Sequence, residues 1–461
     1  MSTTTKTFKM ENHVIGFIPL RERHGNPRVL FPMWFAINLA VITMVLGSIG
    51  VFSGLNLAWS AVAIVLGNGV GAVFMALHSV QGPRIGTPQM IQSRAQFGVD
   101  GAALPLILIV LMYIGYASAN AVVGAQALTA VTPIPVTPAI VVIMAITAVV
   151  VLVGYDLIHK VQTLISVVSG LFYLVLTVVV IAAGFPRGAW DLSGFQFVPF
   201  MLMTGIAGTW QLTYAPYVAD YSRYLPEETK EWKTFLYTYS GTVLGGVWLM
   251  MLGACVALSS PKFFDNTTRG LIDVMGPGWT WAIVGSILLG VTLGNAVNLY
   301  GCFITASTIL STWIPIRFTA KARVLTVAAC SVGVMLIAVL GYGHFVDAFS
   351  NFINFLAYLI FPWTSINLAD YFLVRRGKYD VSAFFDRKKQ YGSHNLNALV
   401  PYVLTVLVSI PFIDTTVFQG FIAARYGVDF AWMIAIVLPA AIYVPLERRR
   451  LRRRVPELTS A

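Results

Sequence analysis

Polar side chains that could bind a flat heterocycle occur at helical spacing inside long apolar segments of this chain. Tyr116 and Asn120 are four residues apart, so on a helix they share one face. A ring and an amide on one face can stack on a planar base and hydrogen-bond its edge. Interhelical packing with one polar contact is the alternative, and the spacing alone leaves both open.

Two other segments contain amides and an indole, either beside residues that interrupt a helix or inside an apolar stretch where a polar side chain is unfavourable. Residues 203–216 contain two glycines and Pro216 beside Trp210 and Gln211. Such residues interrupt a helix and free backbone groups, so this segment is a candidate unwound binding segment, or else a kinked structural helix. Asn38 lies well inside the first apolar segment, where an amide usually faces a cavity or another helix.

A polar stripe runs along a third segment. Thr292, Asn295 and Asn298 follow one another at intervals of three residues, with glycines among them. By contrast, the glycine-rich run at 67–71 resembles a phosphate-binding loop only superficially, because no strand precedes it. Its small residues predict close helix packing instead.

The elements that carry these residues are predicted to be membrane-spanning helices. Of 461 residues, 57% are hydrophobic and 11% charged, whereas soluble domains carry about 25% charged residues. A run of roughly 20 apolar residues spans the hydrocarbon core. Twelve spans are predicted: 29–53, 56–80, 102–130, 136–154, 161–184, 197–218, 234–258, 279–312, 324–341, 344–367, 397–413 and 430–446.

The distribution of basic residues predicts the orientation of these spans. With the N-terminus inside, the outer segments contain four of the 30 Lys and Arg residues, and the other 26 lie in inner segments. This positive-inside bias predicts an even number of spans with both termini cytoplasmic. The net charge of +11 is therefore explained by the lipid bilayer as partner, and nucleic acid is excluded. The run at 448–454 is predicted to lie near anionic headgroups.

Catalytic and metal-binding patterns are missing from the sequence. The six histidines do not cluster, and no metal-ligand pair or nucleophile motif occurs, so the chain is predicted not to be an enzyme and to hold no metal. The three cysteines give no disulfide framework. No Asp, Glu, Lys or Arg lies near the middle of a span, which favours a neutral substrate and leaves the carrier of a coupled proton unidentified.

Several motifs, in this order, resemble the nucleobase–cation symporters of family one and, within that family, the purine–cytosine permeases. The similarity covers nearly the whole chain. Its strongest parts are WFAIN (34–38), GPRIGTPQMIQSR (82–94), GYDLIH (154–159), ADYSRYLP (219–226), NAVNLY (295–300) and DYFLVRRGKYD (370–380).

The resemblance implies an all-α polytopic fold of two inverted five-helix repeats with broken helices 1 and 6, plus two C-terminal helices. The breaks are expected at 38–50 and 205–216. The predicted division is a cytoplasmic tail (1–28), repeat one (29–184), repeat two (197–367), helices 11 and 12 (397–446) and a basic cytoplasmic tail (447–461).

The family's substrate site, carried over residue by residue, falls on an aromatic and an amide of helix three, an aromatic of helix six and an asparagine of helix eight. The residues predicted to bind substrate, including those proposed from the polar patterns above, are Asn38, Tyr116, Asn120, Trp210, Gln211, Asn295 and Asn298. Many relatives have Trp where this chain has Tyr116, so the specificity is expected to differ.

The coupling cation is the second departure from the family pattern. Sodium-coupled relatives carry hydroxyl residues five and six positions before the site asparagine, and here those positions are Gly290 and Leu289. Thr292 is the nearest hydroxyl and the weak candidate for ion coupling. Protons are therefore favoured over sodium, as in the fungal-type permeases.

The predicted function is import of cytosine or a purine by cation symport across the cytoplasmic membrane, through alternating access, with a monomer sufficient. Within the family, a carrier of allantoin, hydantoin, uracil or a vitamin such as thiamine or pyridoxine is the alternative. A channel or membrane receptor is the alternative from another class. The lack of a repeated filter motif opposes a channel, and the lack of a sizeable soluble domain opposes a receptor.

Overall fold

The structure is a computed structural model that describes residues 16–153, 155–313 and 320–459, with side chains described except at 153–165, 311–323 and 454–459. Parts of both predicted tails and of one predicted inner loop thus lie outside the described residues. Within these ranges the chain is helical and has no strand, apart from an isolated antiparallel bridge between Asp414 and Gln419.

Helices make up most of the described part of the first predicted repeat. They are α1 (Leu30–Ile37), α2 (Val41–Phe52), α3 (Leu57–Ser79), α4 (Gln81–Ile85), α5 (Gln89–Phe97), α6 (Ala103–Val131), α7 (Val136–Val153) and α8 (Tyr155–Ala183). The short helices α4 and α5 belong to the connection after the second predicted span.

The remainder of the chain continues the pattern. Its helices are α9 (Phe197–Leu212), α10 (Ala215–Ser222), α11 (Glu231–Ser259), α12 (Lys262–Asp265), α13 (Thr267–Met275), α14 (Thr280–Trp313), α15 (Ala320–Gly341), α16 (Phe345–Ala369), α17 (Leu396–Ser409), α18 (Phe421–Tyr426) and α19 (Ala431–Thr459). Every predicted span therefore coincides with a helix or a pair of helices.

Length and apolarity alone identify fewer crossings. Within the described ranges, seven helices are long and apolar enough to cross a membrane, or eight if the bent pair of α1 and α2 is one span. This number is smaller than the twelve predicted spans because α15 and α16 merge into one stretch at Val324–Val374, and because α7, α9 and α17 are short. Twelve crossings are consistent with these elements.

The break in the first span lies at Asn38–Ala40 and bends the pair α1 and α2 by 63°. No glycine or proline causes it; Ala40 is extended, and the amide of Asn38 donates to the carbonyl of Trp34 at 2.8 Å. The side chain thus replaces a lost backbone hydrogen bond at the helix end. Gly47 lies inside α2, where a Cβ would stand 1.9 Å from the carbonyl oxygen of Met250.

The break in the sixth span lies at Thr213 and Tyr214, near the end of the predicted range. Pro216 occupies the first turn of α10, where its missing N–H costs nothing. The two glycines of this segment lie within α9 instead, and Gly208 packs against Gly71 of α3. The glycine-rich run of the second span therefore serves close helix packing, as predicted.

The helices form two packed groups. The first, here called the bundle, consists of α1, α2, α3, α9, α10 and α11; the second, the frame, consists of α6, α7, α8, α14 and α15. Helix α16 contacts both groups, and α17 and α19 pack on its far side. Spans 1 and 2 thus pair with spans 6 and 7, and spans 3 and 4 with spans 8 and 9, the arrangement expected of two equivalent repeats.

Two features follow from this packing that sequence spacing does not reveal. Arg375 after α16 is nearly buried and pairs with Asp370 at 3.1 Å and with Glu447 of α19 at 2.9 Å. Cys302 and Cys330, on the neighbouring helices α14 and α15, are free thiols with their sulfurs 2.7 Å apart.

Candidate functional site

The predicted site residues lie where the bundle and the frame face each other. Tyr116 projects from α6 and Trp210 from α9, and the two rings meet edge to face with centroids 5.5 Å apart. Such T-shaped pairs are favourable because the positive edge of one ring meets the negative face of the other. This contact joins the two groups at the level of the broken helices.

Asn38 fixes the indole ring of Trp210. The Trp210 Nε1–H donates to the side-chain oxygen of Asn38 at 2.9 Å, and both residues are buried. The Asn38 amide nitrogen in turn donates to Trp34 and to Thr242 of α11. The break in the first span therefore orients an aromatic ring on the sixth.

Gln211 belongs to the same buried network and does not point across the interface. Its amide nitrogen donates to the side-chain oxygen of Asn68 on α3, and its carbonyl oxygen accepts from the Thr242 hydroxyl. A Cβ at Gly246 of α11 would lie 2.4 Å from the Gln211 amide nitrogen and 2.5 Å from the Asn68 oxygen. A Cβ at this position would displace these two hydrogen-bonded amides, and the network that they form joins four spans.

The opposite wall is formed by α6 and α14, and its polar side chains make fewer hydrogen bonds within the described part of the protein. Asn295 is fully buried; its nitrogen donates to the Ala117 carbonyl at 3.1 Å, while its side-chain oxygen has no partner in the described part of the chain. A Cβ at Gly294 would stand 3.3 Å from the Asn120 amide nitrogen, so Asn120 lies beside this turn. Asn120 and Asn298 are half-buried, and their side-chain amides form no hydrogen bond with the other described residues.

Thr292, the predicted ion-coupling residue, is half-buried on α14. Leu289 is 47% exposed, and a Cβ at Gly290 would meet nothing within 4 Å. Neither of these two positions carries a hydroxyl group. No group of three His, Cys, Asp or Glu residues within the described ranges could hold a metal ion.

Three neighbours of Tyr116 were not predicted from the sequence. Phe349 and Phe352 of α16 contact its ring edge to face, with centroids 6.3 and 5.3 Å away. The Tyr116 hydroxyl donates to Thr213, at the break of the sixth span, at 3.1 Å. Phenylalanines are common in apolar spans, so only the placement of α16 between the two groups marks these as site residues.

Asn68 was also missed as a functional partner. Asn68 lies within the glycine-rich run at 67–71, for which the sequence predicted helix packing alone. Its hydrogen bond with Gln211 connects α3 to α9. The available signal was polarity: an asparagine in the middle of a span needs a partner, and Gln211 is the polar residue on the helix that packs there.

This arrangement places aromatic rings from both helix groups beside the side-chain amides of the frame, between two groups that each contain spans from both predicted repeats. Such a fold and site define a multi-pass membrane transporter, in which binding rather than covalent chemistry is the task. The chain belongs to the family of permeases for cytosine/purines, uracil, thiamine and allantoin, whose model matches residues 17–435. It is accordingly a transporter and not an enzyme.

Curated relatives support this membership over the full chain. The chain is 40% identical to YxlA of Bacillus subtilis, described as a candidate purine-cytosine permease, over 97% of this chain and 98% of the relative. It is 27% identical to the purine-cytosine permease fcyB of Emericella nidulans, over 77% of this chain and 72% of the relative.

Solved structures share the fold. The inward-facing conformation of Mhp1 superposes with a TM-score of 0.79 at 18% identity, covering 96% of this chain and 95% of that one. A closed conformation of Mhp1, a nucleobase-cation-symport-1 family transporter with bromovinylhydantoin bound, gives 0.76 at 19% identity, covering 95% of each chain.

Proposed function

We propose that this chain imports cytosine or a purine base by proton symport across the cytoplasmic membrane, through alternating access of a site between the bundle and the frame. The observation that carries the proposal is the side-chain oxygen of the buried Asn295, which has no partner among the described residues and lies on the wall that also holds Asn120 and Asn298. A buried acceptor without a partner is costly unless a ligand supplies the donor.

A planar base satisfies both walls of the site. Its ring can pack on Trp210 and Tyr116, which adds about 0.5–1.5 kcal/mol per aromatic pair beyond burial. Its edge carries N–H donors for Asn295 and further donors and acceptors for the amides of Asn120 and Asn298. A base that leaves one of these amides unpaired is discriminated against strongly.

The substrate is proposed to be neutral because the seven predicted substrate-binding residues include no charged side chain. The bromovinylhydantoin bound to Mhp1, a transporter with the same fold, is consistent with a ring-shaped ligand. The names of YxlA and fcyB favour purines and cytosine over the allantoin, uracil and vitamin substrates of other family members.

Protons are favoured over sodium as the coupling ion because positions 289 and 290 carry no hydroxyl group. Thr292 alone provides one hydroxyl, whereas a sodium site needs several oxygen ligands. The orientation with both termini cytoplasmic rests on the distribution of Lys and Arg. Cysteine labelling from outside, at position 425 compared with position 452, tests that orientation.

Ligand binding is tested by thermal unfolding of the purified chain with cytosine, adenine, guanine, hypoxanthine, uracil, allantoin and benzylhydantoin, each with and without sodium. A ligand at 100 times its dissociation constant stabilises by about 2.7 kcal/mol. A shift with cytosine or a purine, independent of sodium, supports the proposal. A sodium-dependent shift contradicts proton coupling, and shifts only with the other ligands contradict the substrate class.

Transport itself is tested in proteoliposomes. An inward proton gradient should drive accumulation of the base that binds, and a sodium gradient at constant pH should not. Unlabelled base inside the vesicles should accelerate uptake of labelled base, since only a carrier shows such counterflow. If unlabelled base inside the vesicles does not change the rate of labelled uptake, the result indicates a channel.

A further inference from the structure

A second cavity, distinct from the predicted site, lies at the end of the molecule where α2 ends and α9 begins, the end predicted to face outward. Its volume is about 350 Å³, at the lower end of the range for small-molecule sites, about 300–1,000 Å³. It lies among α2, α9, α16 and the segment 414–432, and no site residue predicted from the sequence lines it.

One wall of this outer cavity is a polar stripe on α16. Asp347, Asn351, Asn354 and Tyr358 line it and follow one another at intervals of four, three and four residues, so they share one helix face. Asn351 is bound to Thr416 in the loop after α17. Asn354 is half-buried and forms no hydrogen bond among the described residues, so its amide is available to a ligand.

The opposite wall is apolar. Ile49 and Phe52 of α2 and Met201 and Leu202 of α9 line it. The indole of Trp432 completes the lining. A cavity with one polar and one apolar wall suits a flat molecule that has a hydrophobic face and a polar edge, and it does not suit a hydrated ion.

The charges of the cavity determine which polar edge it accepts. Asp347, Asp414 and Asp429 line it, whereas the lining includes no Lys, Arg or His. Asp429 accepts hydrogen bonds from the Tyr358 hydroxyl and from the backbone N–H of Asp414 and Ala431. Burial raises the pKa of the Asp429 carboxyl, and the negative charge of Asp414 raises it further.

We infer that this outer cavity is a second binding site for a planar base that bears an exocyclic amino group, such as adenine, cytosine or guanine. Carboxylates accept hydrogen bonds and cannot donate them when ionised, so Asp347 pairs with N–H donors of a base and repels an anionic ring or an acceptor-rich edge. Adenine and cytosine present an amino group where hypoxanthine and uracil present a carbonyl oxygen, so the amino-bearing bases offer the edge with more donors. Asn354 supplies a donor and an acceptor to the rest of the edge. The inference rests on the proposed function and specifies its substrate class.

The position of the cavity relates the two sites. Thr209, the residue immediately before Trp210 on α9, lines the cavity, so the cavity lies against the helix that carries one aromatic ring of the predicted site. Because the outer wall is carboxylate-lined and the inner site is amide-lined, the outer site selects amino-bearing bases before the inner site receives them. Hypoxanthine and uracil lack the exocyclic amino group and are expected to occupy the inner site alone.

The test counts bound molecules by equilibrium dialysis of radiolabelled adenine against the detergent-purified full chain. Wild type should bind two molecules per chain, and the double variant Asp347→Asn/Asn354→Leu should bind one. Asn295→Ala should also retain one, now at the outer site. Asp265→Asn is the matched charge control, because Asp265 is exposed at the same end of the molecule and does not line the cavity; it should bind two.

The outcomes separate this inference from the proposed function. One adenine per wild-type chain, lost in Asn295→Ala and kept in the double variant, overturns the outer site and leaves the inner site. One adenine that is lost in the double variant and kept in Asn295→Ala supports the outer site and overturns the inner one. Two molecules of hypoxanthine per wild-type chain contradict selection by the amino group, and no binding of adenine, cytosine or guanine contradicts both proposals.

Discussion

The two walls of the predicted site use their amides in opposite ways. On the bundle wall, Asn38 and Gln211 bond to Trp210, Thr242 and Asn68, so their side chains are occupied within the protein. On the frame wall, the buried oxygen of Asn295 has no partner, and the amides of Asn120 and Asn298 form no hydrogen bond among the described residues.

This difference indicates a division of tasks between the walls. A fully bonded polar network in the membrane rigidifies the helices that it joins, because each partner removed leaves a buried group unpaired. Unoccupied amides, in contrast, can accept hydrogen bonds from a ligand and donate to it, as we propose for the frame wall. We therefore expect changes on the frame wall to affect substrate binding, and changes in the bundle network to affect stability.

The largest effect on binding is expected for Asn295→Ala. Loss of the amide removes the recognition group of the frame wall, and the dissociation constant of the transported base should rise by about 10- to 100-fold, equivalent to about 1.4–2.8 kcal/mol. Isothermal titration of the purified variant measures the change, with size-exclusion chromatography to verify folding. Unchanged affinity in a folded variant would contradict the site.

The next largest effect is expected at the aromatic face. Trp210→Ala removes the stacking surface and should weaken binding by about 2- to 13-fold, the equivalent of 0.5–1.5 kcal/mol. Trp210→Phe keeps a ring and should have a smaller effect, although the side-chain oxygen of Asn38 loses its donor. Uptake kinetics of the two variants give the comparison, and equal apparent substrate constants would show that stacking is not the role of Trp210.

A smaller effect on binding, with a clear loss of stability, is expected for Gln211→Leu. The change leaves the side-chain oxygen of Asn68 without its donor and the Thr242 hydroxyl without its acceptor, at a cost of about 1–3 kcal/mol. The midpoint of thermal unfolding should fall, while the dissociation constant changes by less than about 3-fold, the equivalent of about 0.65 kcal/mol.

Two comparisons sharpen the test of the bundle network. Gly246→Ala should destabilise in the same way, because its Cβ would collide with the same two amides. Asn298→Ala, on the frame wall, should show the reverse pattern of weaker binding with little loss of stability. If Gln211→Leu has normal stability but binds the base weakly, the result would support the substrate-binding role of Gln211 predicted from the sequence.

The sequence predicted the helical fold, because apolar length and the family motifs identify the membrane-spanning helices. The breaks were predicted less accurately. Glycines suggested the weak points, but Gly47 and Gly208 serve close packing. The break in the first span instead depends on the bond from Asn38 to Trp34, a contact that no local pattern indicates.

For the site, the sequence predicted candidate polar residues but not what they contact. An asparagine in a span signals a partner, yet the choice between a ligand and another helix depends on tertiary packing. Asn68 and Gln211 satisfy each other because α3 and α9 are adjacent. Asn295 lacks a second partner because the backbone of α6 provides one only for its nitrogen.

The smallest effect is expected for Tyr116→Phe, which tests whether the aromatic contact between the walls depends on a hydroxyl. The hydroxyl donates to Thr213, but the Thr213 side chain also donates to the Trp210 carbonyl at 2.7 Å, so the change leaves no buried group without a partner. Affinity should change by less than about 3-fold, the equivalent of about 0.65 kcal/mol. A tenfold loss would show that the hydroxyl contacts the base.

Tyr116→Trp extends the same test to specificity. The larger ring must displace Phe352, whose centroid lies 5.3 Å away, and overpacking of this kind costs about 1–3 kcal/mol. The variant should unfold at a lower temperature than Tyr116→Phe, and its preference among cytosine, adenine and guanine should change because the stacking area on the frame side has grown. If the preference among these bases does not change, the amides alone determine specificity. The aromatic rings would then contribute only packing surface.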